Sequence, residues 1–190
     1  MRRATARDGV TGSEAVDHFE NLVATVMETR GYWVRQSFKV NLTVEEKRLI
    51  GKHSMPRPEI DIVAYRPGEV IALEVKSFLD SPGVKLDDLI DEHTVPEGRY
   101  KLFTCTRYRD IVLQRLREDL NGRVEDGVSL RLGLAAGKVY ADKQSEVRQL
   151  LEHRGMFFLS PKEIRDTLRE LADGGYENDP AILAAKVLMR

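Results

Sequence analysis

Residues 58–78 contain two short segments rich in β-branched and apolar residues, and this pattern restricts what the chain can fold into. Ile60–Tyr65 and Val70–Val75 are each typical of a β-strand. The four residues between them, 66–69, include Pro67–Gly68, a pair that is common in tight turns. The sequence therefore predicts a β-hairpin that folds back at Pro67–Gly68.

The charged residues of this hairpin define a candidate site. If the strands pair symmetrically about the turn, so that paired residue numbers add to a constant, Asp61 faces Glu74, and Lys76 lies on the same face of the sheet. Two carboxylates opposed in this way repel each other. A hard divalent cation would remove the repulsion, because Mg²⁺ prefers oxygen ligands and often takes only one or two protein carboxylates. A lysine beside it could orient a water or stabilise charge on a phosphate, which suggests metal-assisted phosphodiester hydrolysis.

An ordinary charged hairpin face is the alternative interpretation, since 32% of the residues are charged. The register also depends on the turn. L-Pro-Gly favours a type II turn, which fits a two-residue hairpin poorly, and a bulged loop would shift the pairing by one residue. Such a shift would separate Asp61 from Glu74.

At these residues the sequence resembles the PD-(D/E)XK nuclease superfamily: Asp61 matches its metal-binding acid, and Glu74-Val75-Lys76 matches its E-x-K element. The resemblance implies a Mg²⁺-dependent nuclease, with Mn²⁺ as a substitute, that acts on DNA, although RNA is not excluded. It implies that Asp61 and Glu74 bind the metal, that the Val75 carbonyl is a further ligand, and that Lys76 is catalytic. Many enzymes of this superfamily act as homodimers, so a homodimer is a further expectation.

The match departs from the family pattern at one point. The residue before Asp61 is Ile60, and the proline lies three positions back, at Pro58. This leaves Glu59 as a rival for one ligand role.

A helix is predicted before the hairpin, from a start at 11–14 to a stop at Gly31. Glu20 lies at the border of its apolar stripe, on the side of Val16, Val23 and Met27. In the superfamily an acid on the first helix commonly joins the metal site, and Glu20 is the matching position. A border residue in a salt bridge is the alternative.

The order of predicted elements agrees with the restriction-endonuclease-like αβββαβ core that the resemblance implies, in which a mixed central sheet is flanked by helices. We predict an α/β fold, with a flexible tail over 1–12, a nuclease-like core over 13–121 and a C-terminal extension of the same domain over 122–190. Outside the hairpin the predicted strands are Tyr32–Leu42, Tyr100–Thr106, Ser129–Leu134, Lys138–Ala141 and Met156–Leu159. In the extension, helices are predicted over Gln144–Glu152, from the capping sequence at Ser160 to Asp173, and from Asp179 to Leu188.

Two segments supply candidates for contact with nucleic acid. Residues 99–123 hold seven Lys or Arg against three acids, and arginine suits phosphate because its planar fork donates two hydrogen bonds. The loop 43–57, which leads into the Asp61 strand, is also polar and charged. A charged helix face and a mobile surface loop are the plainer interpretations of these segments. The candidate residues are Arg107, Gln114, Arg115, Lys47 and Arg57.

Composition limits the functional classes without choosing among them. A net charge of −1 argues against indiscriminate binding to nucleic acid but allows a local basic groove. The single cysteine, Cys105, excludes an internal disulfide and favours a cytoplasmic location, and no apolar run approaches the ~20 residues of a membrane span. A nuclease-like fold without catalysis, acting as a nucleic-acid- or protein-binding subunit, is the alternative function.

Overall fold

The computed structural model describes residues 18–175 and 178–189. Within them, five strands form one mixed sheet in the order β1-β2-β3-β4-β5. Neighbours β1, β2 and β3 are antiparallel, whereas β4 is parallel to β3 and β5 is parallel to β4. The strands are β1 (Trp33–Lys39), β2 (Glu59–Arg66), β3 (Glu69–Lys76), β4 (Ser129–Ala136) and β5 (Phe157–Leu159).

Helices cover both faces of the sheet, which confirms the α/β class and the mixed central sheet. One face packs on α1, α7 and α8, and the other packs on α4, α5 and α6. No helix in the described ranges has the length and apolar character needed to cross a membrane. The helices are α1 (His18–Thr29), α2 (Val44–Leu49), α3 (Asp87–Ile90), α4 (Lys101–Thr104), α5 (Thr106–Asp119), α6 (Gln144–His153), α7 (Pro161–Asp173) and α8 (Pro180–Met189).

Strand β3 lies at the centre of the sheet and is buried along most of its length. Because side chains alternate along a strand, Ile71 and Leu73 enter the core beneath α1 and α7, whereas Val70 and Ala72 enter the core beneath α5. A strand covered on both faces needs a nearly continuous apolar run. The charges of Glu74 and Lys76 at its carboxyl end are therefore exceptional.

The hairpin has the predicted register. Arg66 pairs with Glu69, and the ladder continues without a slip to Ile62 and Leu73. Gly68 has a φ of 84°, a conformation that glycine adopts without strain, so Pro67–Gly68 closes the hairpin in two residues. The same register brings Asp61 next to Glu74.

The strand predicted over Tyr100–Thr106 is wrong, because this segment forms α4 and the start of α5. The N–H groups of Phe103 and Thr104 donate to the carbonyl of Tyr100, and the N–H of Cys105 donates to that of Lys101. The apolar residues of the segment are buried as expected, but a short apolar run does not distinguish a strand from a buried helical turn.

The strand that pairs with β3 on the side away from β2 is β4, which follows α5 in the chain. Over 18–136 the elements follow the order α1, β1, α2, β2, β3, α3, α4, α5, β4, so the short helix α2 separates β1 from β2 and three helices separate β3 from β4. Whether this order reflects the restriction-endonuclease-like core stays a proposal.

A second predicted strand, Lys138–Ala141, is also wrong. Val139 makes one isolated bridge to Val84, and the chain then enters a 3-10 turn at Tyr140–Asp142. The segment passes beside the loop that follows β3 rather than along a full strand, so a ladder does not form.

The other C-terminal elements are confirmed, including both reciprocal hydrogen bonds of the Ser160 capping box on α7. The tail over 1–12 and the helix start at 11–14, with Val16, lie outside the described residues.

Gly137, directly after β4, packs closely against the chain at the point where β3 ends. Its N–H donates to the carbonyl of Lys76 (2.9 Å), and a Cβ at this position would lie 2.3 Å from the carbonyl oxygen of Ser77. Because the contact is with a backbone atom, the chain cannot easily move to relieve it.

We therefore expect Gly137→Ala to lower the free energy of unfolding by about 1–3 kcal/mol, because the added methyl group overpacks the join between β3 and β4. Urea unfolding followed by circular dichroism measures this change. Gly175→Ala is the matched control, since its Cβ would meet nothing within 4 Å. Equal stabilities of the two variants would contradict the close packing described here.

Candidate active site

Three of the side chains singled out from the sequence converge at the end of the hairpin. Lys76 Nζ lies 3.4 Å from Asp61 Oδ2 and 3.2 Å from Glu74 Oε2. The other strong contact of Asp61 is with backbone, since the N–H of Val75 donates to Asp61 Oδ2 at 2.7 Å. The expectation that Asp61, Glu74 and Lys76 meet on one side of the sheet is confirmed. We refer to these three residues as the carboxylate–lysine cluster.

Glu74 is the most buried member of the cluster, with 9% of its surface exposed. Its Oε1 is buried and has no hydrogen-bond partner among the described residues. Burial, opposed by Lys76 and helped by the charge of Asp61, raises the pKa of Glu74 to about 7. A buried carboxyl oxygen without a partner is costly, and one that persists in a folded protein calls for an explanation such as an ion.

Lys76 is a cation rather than a base in this structure. Burial alone would lower its pKa, but Glu74 and Asp61 outweigh that effect and the pKa is raised. The lysine therefore carries its charge at neutral pH and can donate hydrogen bonds or offset negative charge. A general-base role for Lys76 is not favoured by these surroundings.

Tyr108 and Lys101 approach the cluster from the helices, and the sequence analysis did not assign either residue to the site. Tyr108 is buried, its hydroxyl has no partner among the described residues, and burial together with the charge of Glu74 raises its pKa to about 12. Lys101 Nζ lies 5.4 Å from the Tyr108 ring centre, and its charge lowers the pKa of Glu74. The sequence feature that could have indicated Tyr108 is its helical spacing with Val112 and Leu116, which puts its hydroxyl on the buried stripe of α5.

Strained backbone flanks the cluster on both sides. Ser37 has a φ of 51° and lies in the ladder between the Gln36–Ile62 and Phe38–Ile60 pairs, next to Asp61. Phe78, two residues after Lys76, has a φ of 44°. Residues other than glycine rarely adopt this conformation, which costs of order 1–3 kcal/mol and is concentrated at functional sites.

Two other acids that the sequence offered as metal ligands do not share the contacts of the cluster. Glu59 is exposed and pairs with Lys39 across the β1–β2 ladder, outside the cluster. Glu20 lies on α1, next to Phe19, whose ring packs near Gly137 at the sheet edge where β3 ends. Within the described residues, Glu20 is not among the hydrogen-bond or ion-pair partners of the cluster, so its role there stays a prediction.

The candidates for nucleic-acid contact are dispersed. Arg115 lies about two turns along α5 from Tyr108 and forms ion pairs with Glu46 of α2 (2.9 Å) and with Glu118 (2.7 Å). Its guanidinium therefore ties α5 to α2. Gln114 donates to Glu118 and Arg57 donates to Asn41, each at 3.3 Å, whereas Arg107 is exposed and Lys47 is half-buried. The structure does not bring these five residues to the cluster.

The oxygen atoms of the cluster suit a hard divalent cation. Asp61 and Glu74 supply carboxylates, and Glu74 Oε1 is buried without a partner among the described residues. The same part of the chain holds no group of three or more His, Cys, Asp and Glu that could bind a metal. Two carboxylates do fit Mg²⁺, which usually keeps several water ligands.

The chain has little similarity to known proteins. No protein-family model matches the chain, and no curated protein matches it. One solved structure, described as Protein of Unknown Function AF1548, aligns over 88% of this chain at 14% identity with a TM-score of 0.40. The chain spans 65% of the length of that protein. Fold and site together define an α/β protein with a partly buried carboxylate–lysine cluster.

The raised pKa of Glu74 has a consequence for stability. Between its ordinary value of 4.5 and the value of about 7 in the folded protein, the folded state binds more protons than the unfolded state. The contribution of Glu74 to stability is therefore fully present below pH 4.5 and is lost as the pH rises to about 7.

We expect the free energy of unfolding of Glu74→Gln to fall less between pH 5 and pH 8 than that of the native protein, by roughly 2–3 kcal/mol. Urea unfolding at the two pH values measures the difference. Glu28→Gln, on the exposed side of α1, is the matched control and should retain the native dependence. Parallel pH profiles for Glu74→Gln and the native protein would contradict a raised pKa at Glu74.

Proposed function

We propose that the protein is a metal-dependent nuclease that hydrolyses phosphodiester bonds of DNA. One observation carries the proposal: Asp61, Glu74 and Lys76 meet at the end of a hairpin, and the buried Glu74 retains a carboxyl oxygen without a partner among the described residues. The resemblance of Asp61 and Glu74-Val75-Lys76 to the PD-(D/E)XK pattern supports the same conclusion. RNA is a possible second substrate.

Each member of the cluster has a role under this proposal. Asp61 and Glu74 would hold Mg²⁺ or Mn²⁺, and the Val75 carbonyl would be a further ligand. When bound, the cation supplies charge stabilisation at the phosphoryl oxygens and lowers the pKa of a bound water. Glu74 must first lose its proton, because a metal-binding carboxyl is deprotonated.

Lys76 acts as a fixed positive charge. Its raised pKa keeps the ammonium protonated, so it donates to a phosphoryl oxygen or orients the attacking water rather than removing a proton. Tyr108, also protonated at neutral pH and close enough for the charge of Glu74 to raise its pKa, is a second donor. Glu20 supports the metal through water in this scheme.

A second candidate function rests on the same contacts. The Lys76 ammonium contacts both carboxylates, so the cluster also forms an ion-pair network without metal. A nuclease-like fold of this kind would serve as a nucleic-acid- or protein-binding subunit. Metal binding distinguishes the two functions.

Calorimetric titration with Mg²⁺ and Mn²⁺ should show binding to the native protein and none to Asp61→Ala. Because Glu74 has a pKa of about 7, affinity should increase about tenfold from pH 6 to pH 8, with release of a proton. Asp173→Ala, an exposed acid at the end of α7, is the control and should bind like the native protein. Equal metal affinity in Asp61→Ala would place the metal elsewhere.

Incubation of supercoiled, linear and branched DNA with Mn²⁺ tests the chemistry. Lys76→Ala should lose at least about a hundredfold in cleavage rate, because the cation that offsets charge in the transition state is removed. Lys162→Ala, an exposed lysine on α7, should retain the native rate. Cleavage that survives Lys76→Ala unchanged would falsify the role assigned to this residue.

Homodimerisation is part of the proposal and follows from the resemblance. Helix α8 leaves Val187 and Leu188 largely exposed, which is compatible with a contact surface near the end of the chain.

A further inference from the structure

A groove of about 840 Å³ runs between strand β1 and the end of α5, apart from the contacts that form the cluster. Its lining combines aromatic rings with positive charge, and none of its described lining residues is an acid. The residues that matter here are Trp33, Phe38, Tyr65, Arg35, Lys39 and Arg123. We call this feature the β1 groove.

Trp33, the only tryptophan in the sequence, stands at one end of the β1 groove with 81% of its surface exposed. It belongs to neither core cluster. It pairs with Tyr65 across the β1–β2 ladder, so the two rings share one face of the sheet. An aromatic side chain exposed to this degree contributes little to folding, and exposed rings in a groove are typical of a surface that stacks on planar ligands.

The charge of the β1 groove is opposite in sign to that of the whole chain. The sequence carries a net charge of −1, whereas the groove collects Arg35, Lys39 and Arg123. Among the described residues, neither the Arg35 nor the Arg123 guanidinium is paired with a carboxylate. Two arginines left available in this way favour a polyanion as ligand.

Strand β1 is also an edge of the sheet, and an edge can in principle accept another strand. Two features oppose this. Arg35 and Lys39 place charge along the edge, and the positive φ of Ser37 interrupts its regular geometry. Both are devices that limit strand addition. The groove is therefore better suited to a charged, aromatic ligand than to a second β-strand.

The β1 groove adjoins the carboxylate–lysine cluster at Asp61. Ser37 lines the groove and lies next to Asp61 in the β1–β2 ladder. Trp33 is four residues from Ser37, which is roughly 13 Å along a strand. A chain stacked on Trp33 and extended along β1 would thus arrive beside Asp61.

We propose that the β1 groove binds a single strand of nucleic acid, with a base stacked on Trp33 and phosphates on Arg35 and Arg123. A single strand is required because only unpaired bases offer their faces to an aromatic side chain. Delivery of this strand to Asp61 rests on the proposed nuclease function, whereas binding in the groove does not. The groove would therefore direct the enzyme to flaps, tails or other unpaired segments.

The sole tryptophan makes the test direct. Titration of the full chain with short oligothymidylate or oligouridylate, in EDTA, should quench Trp33 fluorescence in a saturable manner. Two neutralised phosphates should give a slope of about −1.4 in log affinity against log salt concentration. Quenching by either oligonucleotide supports the proposal, and the comparison between them separates DNA from RNA.

Variants separate the groove from the rest of the surface. Measured by anisotropy of a labelled oligonucleotide, Trp33→Ala should weaken binding about tenfold or more, and Trp33→Phe should retain most of the affinity. Arg35→Ala and Arg123→Ala should each reduce the salt slope by about 0.7. Arg165→Ala, which removes an exposed arginine on α7, is the matched control. It should weaken binding less than Trp33→Ala does and should change the salt slope by less than Arg35→Ala or Arg123→Ala does. Trp33 is exposed, so its variants should fold, which circular dichroism confirms.

Several results would overturn the proposal. These are the absence of quenching, equal affinity for duplex, equal affinity for polyphosphate (which has no bases), and native affinity in Trp33→Ala. A dimer that becomes a monomer in Trp33→Ala, seen by sedimentation, would instead identify β1 as an interface between two copies of the chain.

The two proposals fail separately. Quenching without Mn²⁺-dependent cleavage would leave the β1 groove established and the nuclease function rejected. Cleavage that is insensitive to Trp33→Ala, without quenching, would reject the groove alone.

Discussion

The antiparallel pairing of β2 with β3 is the constraint on which the site depends. A two-residue turn at Pro67–Gly68 fixes the register, and the register puts Asp61 beside Glu74. Side chains alternate with a period of two, so a shift by one residue would send one carboxylate to the opposite face of the sheet. Lys76 then follows on the face of Glu74, where its ammonium contacts both acids.

This arrangement is difficult to explain as a device for stability. Removing charges from water costs several kcal/mol per ion, and apolar residues of similar volume often stabilise a fold as well or better. Here the network is also incomplete, because Glu74 Oε1 and the Tyr108 hydroxyl are buried without partners among the described residues. Strained backbone at Ser37 and Phe78 adds to the cost on both sides. Such costs, concentrated at the end of the central strand, are typical of a binding or catalytic site.

The sequence was informative where the decisive interactions are local. The hairpin and its register followed from a period of two and a short turn, and the capping box at Ser160 fixed the start of α7. The segment 100–106 was misassigned because its apolar run is too short to show a period. Its burial was correctly expected, since burial depends on composition rather than on the type of element.

Tertiary contacts explain what the sequence could not provide. Arg115 was a candidate for phosphate contact, but it pairs with Glu46, a residue on another helix. Tyr108 and Lys101 reach Glu74 only because α4 and α5 fold over β3, and the β1 groove exists only where β1 meets the end of α5. Residues far apart in the chain create these sites, so no local pattern indicates them.

The central claim is that Asp61 and Glu74 form a site for a divalent cation. Crystals of the native protein soaked in Mn²⁺ and measured at the manganese absorption edge test it most directly. The account predicts an anomalous peak bound by oxygen atoms of Asp61 and Glu74. Crystals that contain Mn²⁺ but show no peak there, with Lys76 Nζ still in contact with both carboxylates, would contradict it.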